Sequence, residues 1–146
     1  RLIRYTAAEV TLKEETNMDN SQKITILVAD DQKGVRRLLC EVFKRDEYQV
    51  ILAANGREAI ELVQKVKPDI MLLDMKMPGL DGLATLRELR RLGLQVCVIL
   101  MTAYGELEIV KEAISLGARM HITKPFDVNE LKELVSKLVA EQREKE

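Results

Sequence analysis

The sequence predicts an α/β domain in which a five-stranded parallel sheet is covered by five helices, and three observations carry that expectation. Short apolar runs alternate with stretches whose apolar residues recur at helical spacing. The runs are apolar throughout rather than every second residue, as in strands buried on both faces. The run at 70–74, Ile-Met-Leu-Leu-Asp, is preceded by Pro68 and followed by Met-Lys-Met-Pro-Gly at 75–79. It is too short for a helix, and as a buried strand it delivers one carboxylate, Asp74, to its carboxyl end. Asp74 taken alone could equally cap the following turn.

The elements follow in order. Residues 24–29 are β-branched and apolar and form a central strand that Asp30 and Asp31 end. Val35, Leu38, Leu39, Val42 and Phe43 then recur at helical spacing to about residue 45. A second strand spans 48–53. Asn55 with Glu58 forms a capping box for a helix whose face is Ala59, Ile60, Val63 and Val66, stopped by Pro68. After the strand at 70–74, a helix from about Asp81 turns Leu83, Leu86 and Leu89 inward. The fourth strand spans 96–101 and breaks at 102–105. Leu107, Val110, Ala113 and Ile114 stripe a fourth helix that ends at Gly117. Residues 119–123 form a short fifth strand. Asp127 and Glu130 then cap a last helix carrying Leu131, Leu134, Val135 and Leu138, and residues 141–146 form a charged, fraying tail.

Strands alternating with helices imply right-handed βαβ units and a doubly wound sheet. The strand order 2-1-3-4-5 places the ends of strands one and three side by side at the switch point. Asp30, Asp31 and Asp74 then share one crevice.

The chain has 146 residues, 47% of them hydrophobic, which suits a single domain, here 23–140, with a proper core. Its 23 basic and 24 acidic side chains balance to a net charge of -1, which argues against nucleic acid or an anionic membrane as partner. No apolar run approaches the roughly 20 residues of a membrane helix, and no secretory signal is evident, so the expected location is the cytoplasm. Cys40 and Cys97 lie in apolar segments with no neighbouring His, and read as buried, reduced thiols. Residues 1–17 do not resemble the rest. Lys13-Glu14-Glu15 can be encoded by a ribosome-binding sequence ahead of Met18, so 1–17 is expected to be a translated leader or an appended extension.

Three aspartates in one crevice repel each other, and a divalent cation resolves the conflict. Mg²⁺ takes an octahedral set of oxygens and is held by one or two carboxylates together with phosphate oxygens. Asp74, alone on its strand, is the candidate nucleophile, with Asp31 as a direct ligand and Asp30 acting through water. Its attack on phosphorus would give an acyl phosphate. Thr102 and Lys124, at the ends of strands four and five, supply a hydroxyl and an ammonium for the charge on the transferred group. As ordinary residues, Thr102 would stabilise a turn and Lys124 would be solvated.

These residues resemble the receiver domain of bacterial response regulators: Asp30-Asp31, Leu72-Leu73-Asp74 with Met77-Pro78-Gly79 and Asp81-Gly82, Met101-Thr102-Ala103, and Lys124-Pro125-Phe126. The match covers about residues 23–139. Asp30-Asp31-Gln32 with Gly34 and Arg36, Ala53 with Asn55-Gly56, Asp74-Met75-Lys76 and the stretch 101–107 are similar to the stand-alone receivers of sporulation phosphorelays. The resemblance implies a flavodoxin-like (CheY-like) fold. It implies that Asp74 accepts a phosphoryl group from a sensor histidine kinase and passes it to a downstream histidine phosphotransferase, an aspartyl-phosphate phosphatase being a further partner. It also implies Mg²⁺ on Asp31, Asp74 and the carbonyl of Lys76, with Asp30 in the outer shell, catalytic roles for Thr102 and Lys124, and a cis Lys124-Pro125 bond. Tyr104 stands where the family often has an aromatic whose rotamer follows phosphorylation; the alternative is a half-exposed loop tyrosine. His121 reads as structural or partner-facing, and Met75 and Met77 as packing residues. Lys76 would shield the acyl phosphate from water.

Gln32, Gly34, Val35 and Leu38 begin the first helix, with Pro125 and Phe126 across the rim. They form a candidate docking patch for a helical bundle, with core packing the alternative for Val35 and Leu38. Rival functions fit less well. A flavin carrier needs a donor-rich loop where Asp30-Asp31 stands, and a haloacid-dehalogenase-type phosphatase needs an Asp at position 76, which is Lys. A non-catalytic scaffold would lack one of the acids, the Thr or the Lys. The serious rival is a chemotaxis-like receiver that binds a target once phosphorylated. With no output region after residue 146, a transcription-factor role would require the chain to be a fragment.

Overall fold

The computed structural model describes residues 23–144, so the expected leader at 1–17 lies outside the described residues. Five strands, β1 (Thr25–Ala29), β2 (Gln49–Ala53), β3 (Ile70–Asp74), β4 (Cys97–Thr102) and β5 (Met120–Thr123), alternate with five helices. These are α1 (Lys33–Arg45), α2 (Gly56–Val66), α3 (Gly82–Arg91), α4 (Leu107–Ser115) and α5 (Val128–Glu144). Every strand pairing is parallel and the order is β2-β1-β3-β4-β5, as the sequence predicts.

Side-chain alternation along the strands builds two apolar layers. Ile26, Val28, Ile70, Leu72, Ile99 and Met101 face Leu39 and Phe43 of α1 and Leu131, Val135 and Leu138 of α5. Leu27, Met71, Leu73, Val98 and Leu100 face Ala59 and Val63 of α2, Leu86 and Leu89 of α3 and Ala113 of α4. Each large aliphatic group so buried stabilises the fold by about 1.5–3 kcal/mol, in keeping with the apolar residues that fill the central strands between their ends.

The caps and close approaches fix where each helix starts. Asn55 Oδ1 accepts from the Glu58 amide at 2.8 Å, and the Glu58 carboxylate accepts from the Ala54 amide at 2.7 Å, completing the predicted box one residue early. Asp81 Oδ1 accepts from the Ala84 amide at 2.8 Å. Gly82 lies so close to β3 that a Cβ there would sit 2.5 Å from the Asp74 carbonyl oxygen and 2.6 Å from Met75 Cα. Only glycine lets α3 begin against the segment that carries Asp74.

Several expectations need correction. The stripes of three helices include residues that the fold leaves exposed: Leu38 in α1, Val66 in α2, and Leu107 and Ile114 in α4. In α2 Leu62, outside the predicted face, is half-buried against the core. Asp127 caps α5 through the Asn129 amide at 2.7 Å, while Glu130 is exposed. The expected fraying tail is helical to Glu144, because Glu141 pairs with Arg119 and Gln142 donates to the Asp69 carbonyl at 3.1 Å. Cys40 and Cys97 are half-buried rather than buried, and neither forms a disulfide. Met75 and Met77 pack in the core as expected. Among the described residues no helix is long and apolar enough to cross a membrane.

Candidate functional site

The register of β1 on β3 runs from Ile26↔Ile70 to Ala29↔Leu73, so the next residues, Asp30 and Asp74, emerge as neighbours. Backbone bonds continue the alignment beyond the strands. The Asp30 amide donates to the Ala53 carbonyl at 3.1 Å, the Met75 amide to Met101 at 3.0 Å, and the Lys124 amide to Thr102 at 2.7 Å. The ends of β1, β3, β4 and β5 are thereby level, and Asp30, Asp31, Asp74, Thr102 and Lys124 meet at one edge of the sheet. The Lys124-Pro125 bond is cis, in agreement with the sequence reading.

Asp30 is fully buried and Asp74 nearly so, whereas Asp31 is exposed. One oxygen from each of the three lies within 4.8 Å of the others. Asp30 Oδ1 accepts from the Gln32 amide at 2.8 Å, and its Oδ2 accepts from Lys124 Nζ at 2.7 Å. Lys124 Nζ is also 3.5 Å from Asp74 Oδ1, which accepts from the Lys76 amide at 3.2 Å. Burial is the main reason that the Asp74 carboxyl is pushed up to about 6, and the neighbouring Asp30 charge adds to it; the Lys76 amide and Lys124 act in the opposite direction. A lone ammonium does not neutralise three carboxylates. Three carboxylates beside one ammonium leave the crevice net negative, and their oxygens suit a hard divalent cation such as Mg²⁺.

The remaining predicted residues surround this crevice. Thr102 is buried, and its hydroxyl donates to the Ile122 carbonyl at 3.3 Å, across to β5. Tyr104 is 93% exposed, more than the half-exposed loop residue considered from sequence. Gln32 and Gly34 are exposed at the start of α1, Val35 is half-buried against the core, and Leu38 points outward. Pro125 is exposed and Phe126 packs partly against the α1–α5 layer. His121 is exposed on the edge strand.

Two residues of the site carried no role in the sequence reading. Arg36 Nη1 donates to the Asp30 carbonyl at 2.8 Å and holds the β1–α1 junction. Glu106 turns back from the start of α4, its Oε1 accepting from the Ala103 amide at 2.6 Å and its Oε2 lying 3.7 Å from Lys76 Nζ. The available signal was spacing: a carboxylate three residues after a strand break and just before a helix reaches the amides it follows.

Comparison with known proteins agrees with this geometry. The family model for the response regulator receiver domain matches residues 26–136. The chain is 48% identical over 112 residues to sporulation initiation phosphotransferase F of Bacillus subtilis, covering 77% of this chain and 90% of that one. It is 41% identical over 112 residues to regulatory protein AtoC of Escherichia coli, of which it spans 24%. The receiver domain of Francisella response regulator 1452 superposes with a TM-score of 0.77 at 30% identity, over 82% of this chain and 99% of that one. A CheY-like receiver from Methanospirillum hungatei, at 24% identity, shares the fold with a TM-score of 0.80 over 86% of this chain and all of that one. With its crevice of three carboxylates, its lysine and its threonine set at the ends of four parallel strands, the chain belongs to the response regulator receiver domain family.

Proposed function

We propose that Asp74 accepts a phosphoryl group from a phosphohistidine on a sensor kinase and passes it to a histidine on a downstream phosphotransferase, as in a sporulation phosphorelay. The observation that carries the reading is the convergence of Asp30, Asp31 and Asp74 within 4.8 Å, with Lys124 bridging two of them. The likeness to sporulation initiation phosphotransferase F supports the relay over a receiver that only binds a target.

In the first step an Asp74 oxygen attacks phosphorus, the N–P bond of the phosphohistidine breaks, and the imidazole leaves with the electron pair. The return step is its mirror: an acceptor imidazole nitrogen attacks phosphorus and the Asp74 carboxylate departs. With its carboxyl near 6, Asp74 is ionised at neutral pH and is a competent nucleophile. Lys124, already 3.5 Å from Asp74, pairs with the incoming phosphoryl oxygens. The Thr102 hydroxyl exchanges its bond to Ile122 for one to the phosphoryl group. Asp31, Asp74 and the Lys76 carbonyl would hold Mg²⁺, with Asp30 in the outer shell. The cation supplies charge neutralisation for the crevice and the equatorial oxygens.

Gln32, Gly34 and Leu38, on the outward side of α1, and Pro125 with Phe126 across the rim form the surface that receives the helical bundle of kinase or phosphotransferase. Tyr104, exposed beside Thr102, belongs to the same surface. An aspartyl-phosphate phosphatase would approach the crevice from this side too. The protein is an enzyme in the limited sense that it catalyses its own phosphorylation and dephosphorylation, and the reading places it in the cytoplasm.

Incubation with Mg²⁺ and a small acyl-phosphate donor, followed by candidate histidine phosphotransferases, tests the proposal on a phosphate-sensitive gel. Wild type is labelled, Asp74→Ala is not, and the label moves to one acceptor. Label retained by Asp74→Ala overturns the acceptor assignment. Label that moves to no histidine protein, with target binding that follows phosphorylation, overturns the relay.

A further inference from the structure

The Glu106 carboxylate joins two loops that flank the acceptor. Its side chain is only 9% exposed although it carries a charge and stands at the mouth of α4. One oxygen takes the Ala103 amide, the first after Thr102; the other faces the ammonium of Lys76, two residues after Asp74. The Lys76 side chain is 71% exposed, and Glu106 is the carboxylate to which its ammonium is paired. Met75, Met77, Pro78, Asp81 and Ile109 line one hollow together with this pair, so the lysine reaches from the segment after β3 to the start of α4.

We infer that Glu106 is a positioning residue that sets how long a phosphoryl group stays on Asp74, by holding Lys76 across the rim between the β3–α3 and β4–α4 loops. This rests on the proposed acceptor role of Asp74. Loss of the phosphoryl group to water requires a water oxygen to attack phosphorus. The P–O bond to Asp74 breaks, the carboxylate leaves with the electron pair, and inorganic phosphate departs with a proton released to solvent. A tethered lysine stem occupies part of the path that such a water takes. An untethered one moves with the solvent, and the path opens. The same carboxylate holds the Ala103 amide, so the tether also ties the cover to the segment that carries Thr102.

Glu106→Gln is the informative variant, because an amide oxygen still accepts from Ala103 while the charge facing Lys76 is gone. After labelling with Mg²⁺ and a small acyl-phosphate donor and removal of the donor, the first-order loss of label is expected to be about two- to fivefold faster than in wild type, the range a partly exposed ion pair commands. In a Lys76→Ala background the same substitution is expected to change nothing further, a non-additivity that a purely structural role would not produce. A second measurement needs no Glu106 variant. Raising salt from about 0.05 to about 0.5 M at saturating Mg²⁺ shortens the lifetime in wild type and leaves Lys76→Ala unchanged, since screening weakens the pair. An unchanged lifetime in Glu106→Gln, an equal effect in the Lys76→Ala background, or salt-independence in wild type overturns the inference. Absence of label on wild type, or label that survives Asp74→Asn, overturns the acceptor role instead, so the two failures are distinct.

Discussion

Lys124 Nζ lies 2.7 Å from Asp30 but 3.5 Å from Asp74, so before any phosphoryl group arrives the ammonium belongs chiefly to the buried Asp30 and only partly to the acceptor. Lys124 is the one cationic side chain among the causes that pull the Asp74 carboxyl down. In Lys124→Ala the Asp74 titration, followed by the carboxyl-carbon NMR signal, is expected to move above about 6. Phosphoryl acceptance at pH 7 should fall by at least about tenfold, because both the ionised fraction and the charge pairing with the phosphoryl group are lost. A titration that stays in place refutes this assignment.

The raised Asp74 carboxyl carries a stability consequence with a definite sign. Between its unfolded value near 3.8 and its folded value of about 6, the folded state binds the proton and the unfolded state does not. The contribution of this group to stability therefore grows as pH falls through 6 toward 4, and the penalty is complete above 6. Without metal, Asp74→Asn is expected to be more stable than wild type at pH 7 by about 2–3 kcal/mol, and the gap should close by about pH 4. Mg²⁺ should raise the melting temperature of wild type at pH 7, less so at pH 5, and hardly at all in Asp74→Asn. Thermal unfolding at the three pH values checks all three statements.

Leu38 is 47% exposed on α1, one turn beyond Gly34, whereas its neighbour Leu39 is fully buried. Leu38→Ala is expected to cost less than about 1 kcal/mol of stability while slowing phosphoryl transfer from a cognate kinase or to a phosphotransferase by about tenfold. Leu39→Ala should do the reverse, at about 2–5 kcal/mol. Melting curves set beside transfer rates separate the two leucines. Equal transfer by Leu38→Ala and wild type would remove this face from the docking surface.

Most strands were legible because each is a short, mainly apolar run ended by a charge or a break, although β5, Met-His-Ile-Thr, carries two polar residues, and the strand order followed from where that arrangement puts the acids. The same logic placed Asp30, Asp74 and Thr102 at one end of the sheet, since each closes an apolar run, and Lys124 joined them by following the short strand at 119–123. Periodicity identifies a helix and its apolar residues but not what covers them. Val110 and Ala113 are buried in α4, while Leu107 and Ile114, on the same stripe, are left exposed by the described residues. Residues 141–144 read as a fraying tail because the partners that fix them, Arg119 and Asp69, are 22 and 73 residues away in sequence. Glu106 escaped notice for a related reason: its two contacts come from different loops, and only the folded chain sets Lys76 beside it.

β3 is hydrogen-bonded along both edges and all five of its residues are buried. Separating it from either neighbour would open both apolar layers together, so the amides around Asp74 belong to the part of the molecule that exchanges with solvent last. The two lysines near Asp74 are less enclosed: the side chain of Lys76 is 71% exposed and that of Lys124 23% exposed. The acceptor thus rides on the most enclosed strand while the ammoniums near it stand on flexible four-carbon stems, so a change of charge at the crevice is met by side chains that can swing and not by the strand that carries it.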